Sequence, residues 1–145
     1  MTLTYKTLDD KIYRVKLERY QAKPFKKVAS GFQYKWKRFW MNAFPKCFWA
    51  EEFPCRPLLK HNYRIDLFNF SLGFGVEIHG KQHVELSNHF HGGDHDKFME
   101  SLAKDREKEL WCEKNGIVLI KVYESTPFDI DFFKNRYKNI KWPKI

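Results

Sequence analysis

Two carboxylates and an imidazole fall close together in residues 63–83, YRIDLFNFSLGFGVEIHGKQH. Asp66 lies in one segment rich in aromatic and β-branched residues, and Glu77 and His79 lie in the next. Acidic residues are depleted in strands, and a carboxylate near a sheet interior is costly unless a cation or hydrogen bonds compensate it. A divalent metal would supply that cation, so Asp66 and Glu77 are candidate metal ligands.

Two strands joined by a turn would position these residues. YRIDLFNF and GVEIH flank Ser71-Leu72-Gly73, which predicts a hairpin. Because side chains alternate along a strand, Glu77 and His79 should share one face of the second strand, with Asp66 in the middle of the first. We therefore expect the two acids and the imidazole to converge.

The whole chain has the order α-α-β-β-β-α-β-α, read from its patterns as an α/β fold of the mixed α+β kind, a mixed sheet flanked by helices. Thr7 and Asp10 have capping-box-like spacing before Ile12 and Val15, which predicts a short first helix. Further helices are predicted at about 30–43, with Ser30 as N-cap, at 96–114 and at 128–138, and strands at 47–53, 63–70, 75–79 and 117–123.

The predicted helix at 30–43 interleaves aromatic and basic side chains. Its aromatic residues at helical spacing are Phe32, Trp36, Phe39 and Trp40, and its basic residues are Lys35, Lys37 and Arg38. Such aromatic residues can stack on bases, as in proteins that bind single strands, or they can form the core. Core packing is the expectation here.

The helix at 96–114 carries an acid on a stripe that could pack. At about 100° per residue, one side of it holds Phe98, Leu102, Asp105, Glu109 and Cys112. Asp105 is therefore a candidate site residue. The alternative is a weak surface pair with Lys104 or Lys108.

Composition bounds the class of partner. The 145 residues fit a single domain, and 27 Lys and Arg against 18 acids give a net charge of +9, which suits a polyanion such as nucleic acid. Three cysteines without CxxC spacing argue against a disulfide framework and indicate a reducing, cytoplasmic setting. No run approaches the roughly 18–20 apolar residues needed to span a bilayer, so no membrane partner is expected.

A histidine-rich stretch follows the predicted hairpin. His89, His91 and His95 lie around Gly92-Gly93. Zinc binding, substrate contact and an ordinary polar loop are the alternatives, and the absence of a nearby cysteine disfavours a structural zinc site.

The residues quoted above resemble a known family. Asp66, ten intervening residues and then Glu77-Ile78-His79 follow the PD-(D/E)XK nuclease pattern, with His79 at the usual lysine position. EIHGKQH, then LAKDREKELWCEKNGI, then LIKVYE resemble the very-short-patch-repair-like endonucleases and the phage-associated homing endonucleases of the EDxHD group. The resemblance covers residues 51–124.

The resemblance implies roles for individual residues. Asp66 and Glu77 would bind Mg²⁺, with Mn²⁺ as a substitute, and Asp105 would be the helix aspartate. The other implied catalytic residues are Glu52, His79, Lys81 and His83. Relatives usually carry a glutamate in the early helix, where this chain has only Gln33, so Glu51 or Glu52 would cover that role or the role is absent. Candidate nucleic-acid contacts are Lys35, Lys37, Arg38, Arg64, His91, Arg106 and Lys108.

The implied protein is a restriction-endonuclease-like, Mg²⁺-dependent DNA endonuclease, a phage- or homing-type nicking enzyme acting on duplex DNA in a bacterium or a phage-infected host. It would be one domain over residues 1–145, with an N-terminal helical extension (1–30), a catalytic core (31–124) and a C-terminal helix with a basic tail (125–145). It would act as a monomer or a homodimer. The alternatives are a non-catalytic basic module that binds single-stranded DNA or RNA, a fold retained with a dead site, and a zinc-stabilised interaction module built on residues 83–95.

Overall fold

The computed structural model describes residues 1–23, 31–79 and 94–143, the side chains of 94 and 95 excepted. Its strands are β1 (Thr2–Lys6), β2 (Ile12–Lys16), β3 (Trp49–Cys55), β4 (Tyr63–Asn69), β5 (Phe74–Ile78) and β6 (Val118–Val122). Its helices are α1 (Gly31–Ala43), α2 (Asp94–Lys114) and α3 (Ile130–Arg136), with a 3₁₀ turn at Leu17–Tyr20. Within these ranges, none of the helices combines the length and the apolar character that crossing a bilayer would require.

The prediction of a helix near the N-terminus is wrong, because β1 and β2 form an antiparallel hairpin there. Leu3 and Tyr5 alternate with exposed residues in β1, a period of two that the capping-like spacing obscured. Thr7 does not cap a helix; its hydroxyl oxygen accepts the backbone N–H of Lys11 at 2.8 Å, and Asp10 adopts a φ of 65° in the turn. The extension at 1–30 is therefore a hairpin and a 3₁₀ turn as far as residue 23.

The mixed sheet is confirmed. Its strand order is β3-β4-β5-β6, with antiparallel pairs among β3, β4 and β5 and a parallel pair between β5 and β6. From α1 onward, the element order α-β-β-β-α-β-α agrees with the prediction. The first of these strands was predicted to end before Pro54, but β3 continues through it, because β3 lies at the edge of this sheet, where a proline is tolerated.

Two apolar clusters hold the elements together. One joins α1 and α3 to the sheet through Trp36, Trp40 and Phe133, so the prediction that the tryptophans of α1 are core residues is confirmed. The other joins the hairpin and α2 to the sheet through Tyr5 and Trp111.

The predicted packing stripe of α2 is only partly correct. Cys112 is buried, but Leu102 is 45% exposed. The buried face of α2 instead contains Lys108, Trp111 and Cys112. A lysine therefore lies where the pattern predicted none.

Candidate metal and phosphodiester site

Asp66 and Glu77 are neighbours across two adjacent strands. In the antiparallel pair of β4 and β5, Leu67 lies opposite Val76, so one step further along the same register Asp66 lies opposite Glu77. Residues directly opposite each other in such a pair have their Cβ atoms roughly 4.5–5.5 Å apart. The structure thus brings together the two acids that the sequence nominated as metal ligands.

The carboxylate of Asp66 is held at both of its oxygens. Oδ2 accepts the backbone N–H of Ile78 at 2.8 Å, and Oδ1 accepts Nε2 of Gln33 at 3.3 Å. The Asp66 side chain thus bonds the backbone of β5 just beyond the last strand pair, Leu67 with Val76. Gln33 reaches it from α1, the helix in which Gln33 was the nearest polar substitute for the glutamate of the resembled family.

Glu52 lies on the other side of Asp66. Its neighbours Glu51 and Phe53 pair with Leu67 and Ile65, which places Glu52 opposite Asp66 in register. Glu52 has a φ of 50°, in the left-handed region that is uncommon for a residue with a side chain. Its side chain is exposed, so it borders the site from the solvent side.

Lys108 supplies the cation of this cluster. Its Nζ lies 3.4 and 3.3 Å from the two carboxylate oxygens of Glu77 and donates to the backbone oxygen of Arg64 at 2.8 Å. The side chain is buried beside Glu77, and contact of Lys108 with nucleic acid stays a prediction. Its neighbours in the helix, Trp111 and Cys112, are a signal of this burial that the sequence did contain.

Burial and like charges raise the pKa values of both central acids. For Asp66, removal from water raises the pKa most, Glu52 raises it further, and the Ile78 N–H and Lys108 oppose the shift. For Glu77, burial again raises the pKa most, followed by the charge of Asp66, while Lys108 lowers it. The negative charges here exceed what one lysine balances, which is the electrostatic condition for a cation site.

Asp105 belongs to the edge of this cluster. It lies on α2, half-buried, and its charge also raises the pKa of Glu77. The expected convergence of the helix aspartate with the strand acids is thus consistent with its electrostatic effect on Glu77.

His79 is buried but lies toward the end of β6. Its backbone N–H donates to the Val122 oxygen at 2.8 Å, and its ring stacks on Tyr123 with 5.3 Å between centroids. The ring is therefore packed against an aromatic side chain at the site where the family pattern has lysine.

The predicted nucleic-acid contacts fall into different environments. Lys37 is buried and paired with Glu51, so its ammonium does not face solvent as expected. Arg106 is exposed and pairs with Glu109 at 3.1 Å. Arg64 is exposed, as are Lys35 and Arg38, which line an open concavity beside Phe128.

Four predicted site positions follow β5 in the sequence. Lys81, His83, His89 and His91 lie outside the described residues, and so does the side chain of His95. Their roles stay predictions.

Two neighbouring carboxylates are a donor set that Mg²⁺ accepts. Among residues 1–23, 31–79 and 94–143, no group of three or more His, Cys, Asp and Glu side chains is arranged to hold a metal. Mg²⁺ usually takes one or two carboxylates and keeps several waters, whereas structural zinc takes four protein ligands. The Asp66 and Glu77 pair could supply those two carboxylates.

Comparison with known proteins gives a viral relative whose name states no activity. No protein-family model matches the chain, and no solved structure matches it. A protein of Invertebrate iridescent virus 3, named Uncharacterized protein 033L, is 38% identical over 99 residues, which is 67% of this chain and 50% of that protein. The chain thus spans about half the length of the curated relative it matches, and the name of that relative states no function.

Proposed function

We propose that this protein is a metal-dependent endonuclease that hydrolyses phosphodiester bonds in duplex DNA. The observation that carries the proposal is the juxtaposition of Asp66 and Glu77 on adjacent strands, with the ammonium of Lys108 3.3 Å from Glu77. Buried acids with raised pKa values beside a buried lysine are typical of functional sites, although structural ion pairs share some of these features.

The element order also supports the proposal. A helix, three antiparallel strands, a long helix and a strand parallel to the third make a mixed sheet flanked by helices. The proposed finer description is a restriction-endonuclease-like core, in which the two acids come from the middle hairpin.

Each side chain would have a defined role. Asp66 and Glu77 would hold Mg²⁺, which would neutralise charge on the phosphate oxygens when bound. Gln33 and the Ile78 N–H would keep the Asp66 carboxylate in one orientation, and Lys108 would keep a positive charge beside Glu77. In the hydrolysis, the oxygen of a water would form the new bond to phosphorus while that water gives one proton to a base. The bond to the leaving ester oxygen would break, and that oxygen would take up a proton.

The residue that activates the water is a separate prediction. His83 and His79 are its candidates, and Lys81 is the candidate for stabilising the developing charge. His79 would have to leave its stack on Tyr123 to act. The number of DNA strands that are cut depends on the number of active sites. One such site makes one nick, and a double-strand break needs two sites or two events.

Nicking of supercoiled plasmid tests the proposal. We expect the wild type to nick the plasmid with Mg²⁺ or Mn²⁺ and to stop in chelator, and Asp66→Asn to lose nicking while it still binds DNA. Asparagine can accept the Ile78 N–H and, if the amide of Gln33 turns over, can also donate to Gln33, so the fold should survive. Glu113→Gln, an exposed acid on α2, is the matched control and should nick like the wild type.

Two outcomes would contradict the proposal. Equal nicking by Asp66→Asn and the wild type would remove Asp66 from the mechanism. DNA binding by the wild type without metal-dependent cleavage of a random-sequence duplex library would favour the alternative, a binding module without catalysis.

A further inference from the structure

Two adjoining clefts on the hairpin side of the sheet carry a concentration of positive charge. The first cleft is lined by Tyr20, Arg56, Arg64 and Glu52 among others. The second is lined by Arg14, Lys16 and Arg19, and it shares Tyr20, Pro54 and Arg56 with the first. The two clefts therefore adjoin at these three residues, and we call them together the basic groove.

The cations of the basic groove differ from several lysines elsewhere in the chain in whether a carboxylate balances their charge. Lys37, Lys108, Lys114 and Lys121 all pair with carboxylates. Within the part of the chain that the structure describes, no ion pair joins a carboxylate to any of the five groove cations, Arg14, Lys16, Arg19, Arg56 and Arg64. Five positive charges thus share one surface with the single carboxylate of Glu52.

The side chain of Arg56, which lines both clefts of the groove, is held in place by several contacts. Arg56 is half-buried; its Nη1 donates to the Leu59 oxygen at 2.9 Å, and its guanidinium lies 6.0 Å from the ring centroid of Tyr13. The backbone N–H of Arg56 also donates to the hydroxyl of Tyr13 at 3.2 Å. These contacts fix one cation in place, and the exposed side chains of Arg14, Lys16 and Arg19 continue the charge along β2 and the 3₁₀ turn.

The size of the clefts excludes an enclosed small ligand. Their volumes are about 70 and 150 Å³, both below the roughly 300 Å³ of a typical small-molecule pocket. An elongated polyanion can instead cross a shallow surface, making one contact per phosphate with successive cations.

The groove leads to the candidate site. Glu52 lines its first cleft and lies opposite Asp66 in register, and Arg64 precedes Asp66 by two residues on β4. The backbone oxygen of Arg64 accepts the ammonium of Lys108. A phosphate chain in the groove would thus lie against Glu52 and Arg64, the groove residues that neighbour Asp66 in the sheet.

We propose that the basic groove binds the sugar–phosphate backbone of the DNA strand on one side of the scissile phosphate. The N-terminal hairpin is then a DNA-binding element. This inference rests on the proposed function for the position of the scissile phosphate, but its binding test needs no cleavage.

Binding of a fluorescein-labelled 30-base-pair DNA duplex, followed by anisotropy in chelator at several salt concentrations, tests the groove. The test variant is Arg14→Gln/Arg19→Gln, because both side chains are exposed and, among the described residues, neither forms an ion pair. The control is Lys46→Gln/Lys138→Gln, which removes the same charge at exposed positions outside both clefts. Thermal unfolding checks that both variants fold.

We expect the groove variant to bind about tenfold or more weakly at low salt, with a log-log salt slope smaller by roughly 1.8, as two lost phosphate contacts on a duplex require. The control should change the affinity by less than about threefold. Equal losses in the two variants would overturn the groove and indicate diffuse charge. Tighter binding of an RNA duplex of the same sequence, with the same sensitivity to the groove variant, would overturn DNA as the occupant.

The outcomes separate this inference from the proposed function. If DNA binding depends on the groove but the protein never cleaves DNA, the groove would still be assigned to DNA binding and the proposed nuclease activity would be wrong. If the protein nicks DNA with metal but the groove variant and the control bind DNA equally well, the nuclease proposal would stand and the assignment of the groove would be wrong.

Discussion

The ammonium of Lys108 lies 3.3 Å from the carboxylate of Glu77 and is buried with it between α2 and the sheet. A buried pair of this kind rarely adds stability relative to apolar residues, but removal of one partner leaves an unpaired buried charge. Glu77 faces a second acid, Asp66, across the strand pair, so the lysine balances only part of the local charge. The arrangement therefore favours a site that receives a further cation.

Replacement of Lys108 by methionine should destabilise the protein in a pH-dependent way. At alkaline pH the charge of Glu77 loses its partner, and we expect a loss of about 3–5 kcal/mol in the free energy of unfolding. At acid pH, Glu77 takes up a proton and the loss should shrink. Urea unfolding of Lys108→Met at several pH values measures this, with Lys97→Met, exposed on the same helix, as control.

A double variant makes that prediction specific. Lys108→Met combined with Glu77→Gln should lose less stability at alkaline pH than Lys108→Met alone, because no unpaired charge is left. Additive losses would show that Lys108 and Glu77 act independently.

Asp66→Asn should remove a pH-dependent penalty on stability. The folded pKa of Asp66 is raised above its unfolded value, so the folded state binds more protons and stability falls as pH rises between the two values. Above the folded pKa the full penalty persists. In chelator near pH 7, Asp66→Asn should therefore melt at an equal or higher temperature than the wild type, by roughly 2–4 °C for each kcal/mol relieved.

Added Mg²⁺ should then reverse the order of the two melting temperatures, so that the wild type melts above Asp66→Asn. Binding to the folded state alone raises its stability, so the wild type should gain melting temperature with Mg²⁺ and Asp66→Asn should not. A wild type that melts progressively higher than the variant as pH rises from 4 to 7 in chelator would contradict the raised pKa.

Gln33 should tune metal affinity through Asp66. Gln33→Glu would put a carboxylate beside Asp66, where Nε2 of Gln33 lies 3.3 Å from Oδ1 of Asp66. We expect tighter binding of Mn²⁺ together with lower stability in chelator at neutral pH, because like charges repel until a cation binds. Asn42→Asp, exposed on the same helix, is the control, and an equal effect there would argue that total charge alone matters.

Gly75 should be intolerant of any side chain. A Cβ at this position would lie 2.9 Å from Cγ2 of Ile65, on the strand that carries Asp66. Gly75→Ala should cost about 1–3 kcal/mol through overpacking. Gly31→Ala, with nothing within 4 Å, should be close to neutral, and similar losses in both variants would refute the steric explanation.

How much of this site the sequence predicts depends on the range of the contacts. Asp66 and Glu77 could be paired from the sequence, because a tight turn at residues 70–73 fixes the register of one hairpin. Gln33 and Lys108 are 33 and 31 residues from their partners Asp66 and Glu77, and only the packing of α1 and α2 on the sheet brings them there. Helix spacing could suggest that Lys108 is inward-facing, but not which acid it meets.

At the N-terminus, a local sequence signal predicts the wrong element. Thr7 and Asp10 satisfied a capping pattern, yet the alternation of Leu3 and Tyr5 determined the structure. Both are buried in the same apolar cluster, where the ring of Tyr5 contacts Phe53 and Trp111. Tertiary burial outweighed a local signal worth about 1 kcal/mol. The basic groove was missed for this reason, since a helix would have distributed Arg14, Lys16 and Arg19 differently.

The most direct test of the central claim is Mn²⁺ binding measured by electron paramagnetic resonance on wild type, Asp66→Asn, Glu77→Gln and the control Glu113→Gln. The account predicts Mn²⁺ bound by the wild type and the control, displaced by excess Mg²⁺, and lost or weakened at least tenfold in the two site variants. Undiminished Mn²⁺ binding by both site variants would contradict the assignment of Asp66 and Glu77 as the metal ligands.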